Sequence, residues 1–121
     1  MMRSMSYMLL IIEPVGQRLQ RTQAEGRALY ERMVAFGNDL RGRGLLVATE
    51  SLKSTSDAVR VRVAGGKRTL TDGPFLESKE MVGGFYLLTC ETREQAVEIA
   101  AQCPAAEWCS VEVRELAPCY L

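Results

Sequence analysis

The side chains best suited to chemistry cluster within residues 71–84. Asp72 and Glu77 supply carboxylates, and Lys79 supplies an ammonium group within the same short stretch. A partly buried carboxylate can act as a general base, and a lysine can contact an anion or a carbonyl group. These residue types predict either acid–base chemistry on a small polar metabolite or binding of such a molecule. No metal site is expected.

The same stretch has the residue types of an ordered turn. In Asp72-Gly73-Pro74, the Asp can accept hydrogen bonds from backbone N–H groups, Gly tolerates unusual φ values and Pro fixes φ. Phe75 offers an apolar contact, Glu80 adds charge, and Gly83-Gly84 would let another backbone or a ligand approach closely. A plain turn with solvated charges and the rim of a pocket both explain this pattern. The pocket alternative is kept because binding residues concentrate on loops that a rigid scaffold positions.

Composition excludes several other chemistries. The chain has no histidine, so the usual general base near neutral pH is missing. Its four cysteines form no Cys-x-x-Cys pair, which argues against a zinc site and favours reduced thiols; Cys103 is expected to be a small buried apolar residue. The net charge of zero argues against a nucleic-acid partner. No cofactor is expected.

The 121 residues are expected to form a single domain, with residues 1–6 frayed. The apolar run 7–12 stops at Glu13-Pro14 and is too short for a signal peptide or a membrane span. A cytoplasmic protein without a membrane partner is therefore expected.

The hydrophobic periodicity predicts two helices and six strands. Thr22 and Thr92 each stand three residues before a Glu or Gln, which is the spacing of a helix-capping box. Strands are predicted at 7–12, 45–49, 59–63, 68–71, 85–89 and 111–114, with a hairpin turn at 64–66. The order predicts an α+β fold, a ferredoxin-like βαββαβ domain with an inserted β-hairpin.

Strands 7–12 and 85–89 are apolar on both faces, whereas two helices can cover only one face of the sheet. The open face needs a cover, and a second copy of the chain is the simplest one. The sequence therefore predicts a homodimer joined through its sheets. Tyr86 and Trp108 are candidates to line a cleft beside the sheet, although core positions would suit them equally.

Asp72-Gly73-Pro74-Phe75, with Glu77-Ser78-Lys79-Glu80 and Gly83-Gly84-Phe85-Tyr86 after it, resembles the signature of the DGPF-domain branch of the YCII-related proteins. The resemblance implies a ferredoxin-like fold that pairs as a dimeric α/β barrel, with a cleft beside the sheet. The suspected His–Asp couple of the better-known YCII branch cannot be carried over, because no histidine is present. The residues that do carry over are Asp72, Gly73, Pro74, Phe75, Glu77, Lys79 and Glu80.

Two functions follow as alternatives. The favoured one is a small-molecule binding or sensing module, in which Gly73, Pro74, Phe75, Lys79 and Glu80 contact an unidentified ligand. The other is a small enzyme in which Asp72 or Glu77 acts as the base and Lys79 contacts the substrate. The lack of histidine, a metal motif or a phosphate-binding loop favours the first.

Overall fold

A computed structural model describes residues 5–121. The elements in chain order are β1 (Met5–Pro14), α1 (Gln23–Gly42), β2 (Leu46–Ser51), β3 (Val59–Ala64), β4 (Lys67–Asp72), β5 (Glu80–Cys90), α2 (Arg93–Gln102) and β6 (Ser110–Glu115). Four strands form an antiparallel sheet in the order β2-β5-β1-β6, and β3 pairs with β4 in a separate hairpin. The prediction of a mixed α+β fold with two helices and antiparallel strands is confirmed.

The two central strands are longer than predicted. Met5 and Ser6 pair with Cys90 and Thr89, so they belong to β1 and are not frayed; the same expectation for residues 1–4 lies outside the described residues. Strand β5 begins at Glu80 rather than at residue 85, because its pairing with β1 continues through Glu80. Glu80 and the glycine pair are therefore strand residues and not loop residues.

Both helices begin at the predicted caps. The Thr22 hydroxyl accepts a hydrogen bond from the Glu25 N–H at 3.1 Å, and the Glu25 carboxylate accepts one from the Thr22 N–H at 2.9 Å. These bonds lower the pKa of the Glu25 carboxyl group. At α2, the Thr92 hydroxyl accepts a hydrogen bond from the Gln95 N–H. The Gln95 side-chain carbonyl accepts one from the Glu91 N–H and not from the Thr92 N–H.

The hydrophobic core lies between the helices and one face of the sheet. Alternate residues of β1, which are Tyr7, Leu9 and Ile11, point to this face, as do Tyr86 and Leu88 of β5. The helices close the core with a set of buried residues: Leu40, Ala96, Ile99 and Ala100. Cys103 is buried among them, as predicted. The helices therefore cover one face of the sheet.

The opposite face of the sheet, called here the open sheet face, carries the other set of alternate residues. Its centre is formed by Met8 beside Leu87, Leu10 beside Phe85 and Ile12 beside Val82. These side chains are half-buried, except Val82, which is 41% exposed. No helix within residues 5–121 packs over them to form a core. The two central strands are thus apolar on both faces, as the sequence indicates.

The β3–β4 hairpin lies outside the hydrophobic core. All of its residues are exposed, and Val59, Val61, Val63 and Leu70 share one of its faces according to the pairing register. The register also places Arg60, Arg62 and Lys67 on the opposite face, whereas Arg68 lies on the face of the valines. Three of the four basic residues of the hairpin therefore share a face.

Candidate functional site

A cleft of about 280 Å³ lies on the helix side of the sheet, between α1 and the adjoining ends of β1, β2 and β5. Its polar and aromatic lining comes from Glu13, Arg18, Arg21, Tyr30, Thr49, Glu50, Ser51, Phe85, Tyr86 and Trp108. Ile11, Leu29 and Met33 add apolar surface. A concave, largely apolar site with a few convergent polar groups is the usual form of a small-molecule site.

Glu13 and Arg18 form the polar centre of the cleft. Arg18 Nε donates to Glu13 Oε1 at 2.5 Å, and Arg18 Nη1 donates to the Leu52 carbonyl at 2.9 Å. Glu13 is only 6% exposed, although it is charged. The local sequence explains the contact: β1 ends beside Glu13 at Pro14, and a short 3-10 turn over Gln17–Gln20 brings Arg18 back to the end of the strand.

Gly83 makes room for this ion pair. A Cβ atom at residue 83 would lie 2.5 Å from Glu13 Oε2 and 3.0 Å from Arg18 Nη2, closer than such atoms approach one another. At Gly84 a Cβ atom would lie 2.8 Å from the Glu50 carbonyl oxygen on the neighbouring strand. The predicted close approach at the glycine pair is confirmed, with a side-chain ion pair at Gly83 and another backbone at Gly84.

Aromatic side chains form the walls of the cleft. Tyr86 donates a hydrogen bond to the Met33 carbonyl at 2.7 Å, and burial raises the pKa of its phenol. The Trp108 ring has two guanidinium groups near its centre, that of Arg32 at 5.5 Å and that of Arg21 at 5.9 Å. Tyr86 and Trp108 do line the cleft, the first as a core residue and the second half-buried.

The 72–80 loop lies outside this cleft. The side chains of Asp72, Glu77, Lys79 and Glu80 are exposed, and none makes a hydrogen bond or ion pair with another described residue. The partial burial on which a catalytic role for Asp72 and Glu77 depended is absent. The structure does not bring these two carboxylates into a shared sheltered site.

Phe75 is the buried member of that loop. It is 9% exposed, and the Arg60 guanidinium lies 3.7 Å from the centre of its ring, while Arg60 also donates to the Ser78 hydroxyl at 3.2 Å. Pro74 and Phe75 border a second cleft of about 540 Å³, and Phe75 and Glu80 border a groove of about 380 Å³. Phe75 is thus packed within the protein itself, and its contact with a ligand stays a prediction.

The turn is held by backbone contacts rather than by the Asp72 carboxylate. The Gly73 N–H donates to the Ala58 carbonyl at 2.7 Å, and the Gly73 backbone lies directly against the Thr55 carbonyl. A side chain at residue 73 would collide with that carbonyl. The expectation that the Asp72 side chain accepts backbone N–H bonds is therefore wrong within the described part of the chain.

Sequence reasoning missed Glu13 and Arg18. From the sequence, Glu13-Pro14 is interpreted only as the point where an apolar strand stops, and Arg18 is not considered. The available signal was a lone acid at the end of a strand predicted to be buried on both faces, with a basic residue one turn further on. A buried carboxylate needs a partner, so such an acid predicts an ion pair.

No metal site is apparent among residues 5–121, where no group of three or more Cys, Asp or Glu side chains converges. All four cysteines are free thiols, and burial raises the pKa of Cys109 to about 11. Within the same residues no helix is both long and apolar enough to cross a bilayer. The chemical groups of the cleft are therefore two carboxylates, guanidinium groups, hydroxyl groups and aromatic rings.

Two comparisons place the chain among known sequences. An uncharacterised protein of Rhizobium meliloti (strain 1021) is 37% identical to it over 76 residues, which make up 61% of each chain. The match thus spans less than two-thirds of that relative's length. The sequence model of the YCII-related domain matches residues 5–119, which is nearly the whole described chain. The chain therefore belongs to the YCII-related domain family.

Proposed function

We propose that this protein is a small-molecule binding or sensing module, whose ligand site is the cleft around Glu13 and Arg18. The observation that carries the proposal is an ion pair between the buried Glu13 carboxylate and the one-third exposed Arg18, which lines an open cleft instead of being sealed in the core. Taking two charges out of water is costly, and a buried ion pair is weak evidence of a contribution to stability. A role in recognition explains why the pair lies in the cleft wall.

The remaining lining supports binding of a small metabolite. Tyr86 and Trp108 offer apolar surface for a ring or chain, and the half-exposed Tyr30 offers a hydroxyl group at the mouth of the cleft. The volume of about 280 Å³ suits a molecule at the small end of the usual range.

A ferredoxin-like βαββαβ fold with an inserted hairpin is part of this proposal. Its support is the strand order β2-β5-β1-β6 together with two helices on one face. The open sheet face supports homodimerisation, because Leu10, Phe85 and Leu87 form the centre of an apolar surface that described residues leave without a helical cover. A second copy placed there would give a dimeric α/β barrel.

A thermal-shift screen of small polar metabolites tests the proposed site. Compounds that raise the melting temperature of the wild type should lose that effect in the Glu13→Gln/Arg18→Met double variant, which removes both charges together. Glu98→Gln, an exposed acid on α2, is the matched control and should respond like the wild type. Equal stabilisation of the double variant, or no stabilising compound for the wild type, would contradict the proposal.

A further inference from the structure

Two atoms of the Glu13–Arg18 pair have no hydrogen-bond partner among residues 5–121: one guanidinium nitrogen and one carboxylate oxygen. The internal bonds engage Arg18 Nε and Nη1 and Glu13 Oε1, and no described residue pairs with Arg18 Nη2 or Glu13 Oε2. Neither atom is sealed from solvent, because Gln17 Oε1 is the only buried side-chain polar atom without a partner in the described part of the chain. Arg18 Nη2 and Glu13 Oε2 are therefore available to a ligand in the cleft as hydrogen-bond donor and acceptor.

The two free atoms lie close together, packed against Gly83. A Cβ atom built on Gly83 would be 2.5 Å from Oε2 and 3.0 Å from Nη2, so the ion pair itself fills the space over this glycine. A ligand would therefore approach the two atoms from the cleft, on the side away from Gly83. The position presents an acceptor next to a donor, with the Trp108 and Tyr86 rings elsewhere in the same cleft.

From this arrangement we propose that the cleft binds a net-neutral, planar molecule that carries an amide group, such as a carboxamide or a lactam. Its N–H donates to Glu13 Oε2, its carbonyl accepts from Arg18 Nη2, and its apolar part packs against the aromatic walls. This inference rests on the proposed binding function and specifies the ligand's recognition group.

Charge selects the amide over ionic ligands. Glu13 and Arg18 neutralise each other at 2.5 Å, and the other charged lining residues, Arg21 and Glu50, also carry one charge of each sign. A lone anion at the ion pair is repelled by the Glu13 carboxylate, and a lone cation is repelled by the Arg18 guanidinium. A zwitterion would have to compete with the existing pair and lose the hydration of two ions. A neutral amide loses less hydration and satisfies both free atoms.

Titration of the ¹⁵N-labelled protein, followed by NMR, tests the recognition group with four small aromatic probes. Benzamide carries the proposed donor–acceptor edge, benzoate carries an anion, benzylamine a cation and L-phenylalanine a zwitterion. The signals to follow are the Gly83 and Gly84 amides and the Trp108 indole N–H. Benzamide should shift these signals with a Kd at least tenfold lower than that of each other probe.

Two variants complete the design. Glu13→Gln should raise the benzamide Kd about tenfold, because it removes the ion pair that orients the guanidinium, while Glu98→Gln should leave the Kd unchanged. Tighter or equal binding of benzoate, benzylamine or L-phenylalanine at the same signals would overturn the amide assignment and leave the cleft as the site. Absence of shifts with all four probes would overturn both the assignment and the proposed function.

Discussion

The Glu13 carboxylate accepts a hydrogen bond from Arg18 Nε at 2.5 Å, although only 8% of the Glu13 side chain and 34% of the Arg18 side chain are exposed. Each group depends on the other, because an unpaired charge in such a position would have to give up hydration without compensation. Removing one partner is therefore expected to cost more than removing both.

A double-mutant cycle measures this dependence. Arg18→Met should destabilise the protein by about 2 kcal/mol, less than a fully buried pair would, because Arg18 is one-third exposed. In the Glu13→Gln/Arg18→Met double variant, more than half of that loss should be recovered. Urea unfolding of all four proteins gives the coupling. Simple additivity of the two single losses would show that the pair is not energetically coupled.

Two glycines that line the same cleft should respond in opposite ways to alanine. Gly83→Ala should cost about 1–3 kcal/mol, because its methyl group must displace Glu13 or Arg18. Gly26→Ala should be neutral or stabilise the protein by up to ~1 kcal/mol, since it lies in α1 with no atom within 4 Å of the added methyl group. The measurement is the free energy of unfolding. Equal effects would mean that Gly83 does not face the ion pair as described.

The helices and strands could be predicted from residues that lie within or next to each element. The capping threonine at residue 22 and the alternation of valines at 59–63 act within a few residues, so their positions could be predicted without tertiary information. The extension of β5 back to Glu80 could not, because it depends on pairing with β1, a strand more than sixty residues away in the sequence.

The cleft and the stretch that the sequence favours as a site lie apart for a related reason. The 72–80 loop has several charged residues close together in the sequence, but the fold leaves Asp72 and Glu77 exposed. The cleft instead joins Glu13, Gly83 and Trp108, which come from three distant parts of the chain. Among the cleft residues, Tyr86 and Trp108 are named from the sequence as wall candidates, because large aromatics often line clefts. Gly83-Gly84 is also named from the sequence as a point where a ligand could approach.

Opposite faces of the sheet should respond differently to a buried charge. Leu87→Asp, on the open sheet face, should give a folded protein that no longer dimerises, whereas Ile11→Asp, on the core face, should unfold or aggregate. Sedimentation velocity and circular dichroism distinguish these results. A wild type that is monomeric at micromolar concentration would contradict the proposed dimer.

Tyr86 should affect stability at alkaline pH. Burial raises the pKa of its phenol above the unfolded value of about 10, so its contribution is complete below pH 10 and is lost as pH rises towards the folded pKa. In this range the wild type should lose up to ~1.4 kcal/mol per pH unit more than Tyr86→Phe.

At neutral pH, Tyr86→Phe should cost about 1 kcal/mol through loss of the bond to the Met33 carbonyl. Tyr30→Phe is the control, because Tyr30 is 54% exposed. Urea unfolding at pH 8 to 11 provides the comparison. Parallel pH profiles for the wild type and Tyr86→Phe would contradict the description of Tyr86 as a buried phenol.

A crystal structure of the protein soaked with the most stabilising compound of the thermal-shift screen tests the binding site most directly. The compound is predicted to lie between the Glu13–Arg18 pair and Trp108, with its polar group at the ion pair. Density for the compound beside Asp72 and Lys79, with the cleft filled only by water, would contradict the assignment of the site.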